Sequence, residues 1–150
     1  MATAEHGLDE VRAAVNSPDP HRCPDAVARA LFALYDLWEF WSSHANHPPG
    51  KKWKAEDAAV CGDDDGETTA ALVHARGSLT HVHAEFGAFT DTVAATVLSH
   101  FGCWRWQDHP DQRFPQRDAW YATHVKDREV LPPLEAAARW LRARPELTVP

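Results

Sequence analysis

The stretch Leu72-Val73-His74-Ala75-Arg76-Gly77-Ser78-Leu79-Thr80-His81-Val82-His83-Ala84-Glu85-Phe86 decides how this chain is read. Its residues alternate apolar and polar, the two-residue period of a half-buried strand. Gly77-Ser78 suits the two-residue turn of a β-hairpin. With an even turn, Val73 faces Val82 and His74 faces His81. An odd turn would put the two valines on opposite faces, so the apolar pattern selects the even one. Ala71, Val73, Ala75, Val82, Ala84 and Phe86 then form a core face. Leu72, His74, His81, His83 and Glu85 share the other.

That second face is the one constellation in the sequence with the geometry of a metal site. Residues two apart on a strand lie on the same side, roughly 6.5–7 Å apart, and a cross-strand neighbour is within about 5.5 Å. His74, His81 and His83 therefore read as candidate ligands for one divalent ion, with zinc the best match to three imidazoles. A bound zinc would turn its water into a nucleophile near neutral pH. Glu85 is the candidate general base, and Arg76 the candidate holder of an anionic substrate group. The competing reading is a solvated sheet face with no chemistry.

The second helix is the clearest element outside this stretch. Pro24-Asp25 open it, and Val27, Leu31, Leu34, Trp38 and Trp41 recur at helical spacing. Pro48-Pro49-Gly50 lie beyond its end. Leu8, Val11 and Val15 mark a first helix, stopped at Ser17-Pro18. Residues 45–66 read as a long loop, and Asp63-Asp64-Asp65 within it lacks the ligand spacing of a calcium-binding EF-hand loop. Thr90-Asp91 start a helix running through Val93, Val97, Leu98 and Phe101. Cys103 to Gln107 alternate as a third strand. Residues 116–127 form a helix carrying Trp120 and Tyr121, and Pro132-Pro133 open a last one that ends before Pro145. The expected fold is one α+β domain over residues 1–150, a two- to three-stranded antiparallel sheet around a central hairpin, packed with four to five helices.

With 150 residues, a formal net charge of -7 and 10 histidines, the chain is an acidic protein of one-domain size. The acidity argues against nucleic acid, whose binding rests on Lys and Arg releasing counterions. It argues equally against an anionic membrane surface. No apolar run approaches the ~20 residues of a membrane span, and the first residues lack a secretion signal. Cys23, Cys61 and Cys103 form no CxxC pair, which favours a reducing, cytoplasmic setting. No HExxH, GxSxG or Gly-rich phosphate loop is present.

The seven tryptophans either fill a core or meet a ligand. Trp104, Arg105, Trp106 and Trp53 are the candidate contact residues, for a protein partner, a small ligand or a second copy in a homodimer. These readings rank a small cytoplasmic accessory or binding module first. A zinc-type hydrolase or lyase built on the histidine face comes second, and a nucleic-acid accessory protein third. Whether the chain is an enzyme stays open at this level.

Isoleucine is absent and 11 arginines stand against 4 lysines, the mark of a high-GC genome. In keeping with that, Ala75-Arg76-Gly77-x-x-Thr80-His81 followed by Phe89-Thr90-Asp91-Thr92 resembles short stretches of small actinobacterial proteins, some associated with mobile elements. The resemblance covers about the middle third of the chain. It implies no activity.

Overall fold

The computed structural model describes residues 2–17, 19, 21–45, 52–86, 97–100, 103–107 and 114–147; at residues 2, 77–86, 97–100 and 103 it describes the backbone alone. The chain is mostly helical. Helices α1 (Ala2–Ala14), α2 (Arg22–His44), α3 (Lys52–Val60) and α4 (Asp64–Phe86) come first. Strands β1 (Val97–His100) and β2 (Cys103–Trp106) follow. Then come α5 (Pro115–His124), α6 (Leu131–Arg142) and a 3₁₀ turn at Pro145–Leu147.

This overturns the α+β expectation at its centre. The stretch from Leu72 to Phe86 is the body of α4, with no reversal at Gly77-Ser78. The physical reason lies upstream. Asp63 caps α4, its Oδ1 accepting the N–H groups of Asp65 at 3.2 Å and Gly66 at 3.3 Å. Asp64, Asp65 and Glu67 then suit the positive end of the helix dipole. From Thr68 to Ala75 every residue is buried. A helix covered all round shows no 3.6-residue stripe, so its side-chain order passed for alternation. The glycine inside it is a cost of about 1 kcal/mol relative to alanine, not a turn.

Extended structure among the described residues is limited to one short antiparallel pair, Val97 opposite Trp106 through His100 opposite Cys103, with a bridge from Arg105 to Glu129. The helix expected from Thr90 to Phe101 gives way to strand at Val97–His100; residues 90–96 lie outside the described residues. The long loop expected at 45–66 is likewise corrected: it holds α3 and the first turn of α4.

The core lies where α2, α4 and α6 meet. Trp38 and Trp41 of α2 close on Trp140 of α6, with ring centroids 4.8–5.7 Å apart. Each buried tryptophan removes about 150–250 Å² from water, an upper bound of about 4–6 kcal/mol at ~25 cal/mol/Å². Leu34, Leu72, Leu134 and Leu141 are fully buried in the same hydrophobic cluster. Gly66 allows the closest approach, since a Cβ there would sit 2.8 Å from Trp140 Nε1 and 3.0 Å from Val60 Cβ. Helix α1 is tied to α6 by Arg12–Glu135 and Arg142–Glu5. No helix is long and apolar enough to cross a membrane among the described residues.

Candidate functional site

Helix α4 begins where α5 ends, and that junction gathers the ligating groups. Glu67 lies one turn into α4, on the same side as Asp64 three residues earlier. His124 is the last residue of α5. Its Nε2 is 3.0 Å from Glu67 Oε2, while Glu67 Oε1 accepts the Gly62 N–H at 2.8 Å. Gly62 adopts φ +87°, a left-handed conformation natural to glycine, and this aims its amide at Glu67. One donor atom each from Asp64, Glu67 and His124 fall within 4.8 Å of one another. Asp64 is exposed and the other two are half-buried, so the cluster opens to solvent.

The segment after His124 is held firmly. Asp127 takes φ 61°, a conformation that asparagine and aspartate tolerate better than most residues. Its N–H bonds Trp106 O, Trp106 N–H bonds Arg128 O, and Val130 N–H bonds Trp104 O. Strand β2 thus fixes Arg128 relative to His124. Beside the pair lies a cleft of about 230 Å³, lined by Thr68, His124, Arg128, Pro132, Pro133 and Ala136.

A second polar cluster is buried between α2, α3, α4 and α5. Arg117 donates from Nε to Asp57 at 2.6 Å and from Nη2 to Glu56 at 2.8 Å. Ser42 hydroxyl also donates to Glu56. The guanidinium lies 5.7 Å from the Trp38 ring and 5.9 Å from Phe114. Burial pushes the Asp57 carboxyl above its ordinary value, against the pull of Arg117. His74 joins this cluster through Asp118, Nε2 to Oδ1 3.0 Å. It is 5% exposed, sealed by packing against Phe114. We read this cluster as an ionic tie between helices, since Arg117, Glu56 and His74 are buried and the guanidinium is bonded to both carboxylates.

The residues singled out from sequence are therefore scattered. His74 is an interior residue paired with Asp118, not a strand-face ligand. His81, His83 and Glu85 lie on α4, where the helical turn puts positions 81 and 83 about 200° apart around the axis; their side chains lie outside the described residues. The strand face expected to gather the three histidines is replaced by a helix. Arg76 packs on the rings of Tyr35 and Phe32, at 3.8 and 4.4 Å from their centroids. Trp106 is fully buried, its Nε1 donating to Val130 O at 3.3 Å. Trp104 is half-buried and packs against the core, and Arg105 bonds Asp127 O at 2.7 Å. Trp53 alone of the four contact candidates is exposed, edge-on to Phe114 at 5.7 Å.

Asp64, Glu67 and His124 went unread as a group. The Asp-x-x-Glu spacing is visible in sequence, but its place on one helical face is not once 45–66 is taken as loop. Nothing local connects it to His124. Comparison with protein-family models, with curated proteins and with solved structures finds no match.

Proposed function

We propose that this protein is a small helical binding module whose working site is the α4–α5 junction, where Asp64, Glu67 and His124 take one divalent cation. The observation that carries the reading is the convergence of three ligating atoms within 4.8 Å from two separate helices, beside a cleft. One imidazole and two carboxylates suit zinc or manganese. A tetrahedral ion held this way keeps a position for water or ligand. The first-choice contact surface changes accordingly. Five of the seven tryptophans (Trp38, Trp41, Trp106, Trp120 and Trp140) are core residues, so an aromatic docking face is not part of the proposal.

The test is calorimetric titration of untagged full chain with zinc chloride. Binding of about one equivalent is expected, weakened at least tenfold in His124→Gln and in Glu67→Gln, with helicity unchanged by circular dichroism. Affinity should fall on acidification, because the imidazole must be neutral to ligate. Zinc binding that survives His124→Gln, or no measurable binding, overturns the reading.

A further inference from the structure

The cleft beside the junction has a chemistry of its own. Its lining combines the apolar Pro132, Pro133 and Ala136 of α6 with Thr68 of α4, His124 and Arg128. Arg128 is exposed and spends one Nη2 hydrogen on Thr123 O at 3.4 Å. Among the described residues no carboxylate pairs with it. A guanidinium so placed offers a planar fork, which matches a carboxylate or a phosphate.

Two features decide between these anions. Phosphate sites at helix starts rely on the first-turn amides. Here Pro132 and Pro133 occupy the first turn of α6 and have no N–H to donate. Pro132 and Pro133 also line the cleft together with Ala136, an apolar lining that a phosphate cannot use and a hydrocarbon can. The volume of about 230 Å³ equals that of about eight liquid waters, small for a typical ligand pocket. It fits a compact organic acid.

We propose that the cleft binds a small organic monocarboxylate, its carboxylate on Arg128 and its apolar body against Pro132, Pro133 and Ala136. This builds on the cation reading in one respect. Asp64 and Glu67 repel an anion nearby, and a cation among them removes that repulsion and attracts the carboxylate.

Benzoate is the probe, titrated into the full chain with and without zinc and followed by amide chemical shifts and calorimetry. Shifts should centre on Thr68, His124, Arg128 and Ala136, and zinc should tighten binding at least threefold. Neutral benzamide should bind at least tenfold more weakly, and so should benzoate to Arg128→Gln, a variant that keeps its zinc affinity within twofold. Ala136→Leu, which fills the cleft, should weaken benzoate without touching zinc. Equal binding of benzamide, undiminished binding by Arg128→Gln, binding of inorganic phosphate in preference to benzoate, or no binding of benzoate overturns the proposal. If benzoate binds as described while zinc does not bind, the cation reading falls and the carboxylate site stands.

Discussion

Removing Arg117 tests the buried ionic tie directly. The side chains of Arg117 and Glu56 are 8% and 6% exposed, 2.8 Å apart, and Asp57 is the second acceptor at 2.6 Å. Arg117→Met keeps much of the packing against Trp38 and Phe114 but strips the charge from between two carboxylates. Breaking a buried pair by taking away one partner costs about 3–5 kcal/mol, because the remaining charge is left uncompensated. Lys52, 3.9 Å from Glu56 and half-exposed, offsets little of that. For a domain of this size about 2–4 °C of Tm accompany each kcal/mol, so a drop of about 6–20 °C is expected. The pH dependence gives the sharper signature. Without Arg117 the pull that opposes burial at Asp57 is lost, so its folded-state carboxyl binds a proton still more tightly than in the unfolded chain. The deficit is then largest near neutral pH and shrinks as pH falls toward ordinary carboxylate values of about 4. Urea unfolding of wild type and Arg117→Met at pH 7 and pH 4.5 reads both effects. A loss under 1 kcal/mol at pH 7, or a loss that stays the same at pH 4.5, would refute the account of this cluster as a charge-compensated tie.

Three further outcomes follow from the packing. Gly66→Ala places a methyl against Trp140 and Val60 and should cost about 1–3 kcal/mol through overpacking; an unchanged urea midpoint would contradict that close approach. Asp57 has a raised folded-state carboxyl, so its contribution to stability grows as pH drops from above its folded value toward about 3.8. Asp57→Asn should flatten that part of the stability profile, and an unaltered slope between pH 4 and 7 would count against it. In a Cys103→Ser background, exposed Cys61 should react with a thiol reagent promptly and buried Cys23, its thiol pushed up to about 12 by burial, only on unfolding; similar rates for both would be the failing result.

The elements that could be read from the chain are those that bury one side. Helix α2 keeps a continuous stripe from Val27 to Trp41, and α6 shows Leu134, Ala137, Ala138 and Leu141 beyond a proline pair; both are helices with those residues buried. Helix α4 defeated the same reasoning because neighbours cover it on several sides, so a polar residue such as His74 sits as deep as Leu72 and periodicity vanishes. The decisive signal was Asp63, a helix cap whose role shows only when the segment before it is recognised as short helix and turn. The site was illegible for a different reason. Asp64 and Glu67 are local to one another, but His124 arrives through the packing of α5 on α4, 57 residues from Glu67, and single-sequence patterns carry no information at that range.

Strand β2 works as a ruler for the junction. Three backbone hydrogen bonds set the path from Asp127 to Val130 against Trp104 and Trp106. Adding or deleting one residue between His124 and Arg128 would shift that ladder by a step. A change of length in this turn therefore disturbs the junction through the backbone, whatever side chains the turn carries.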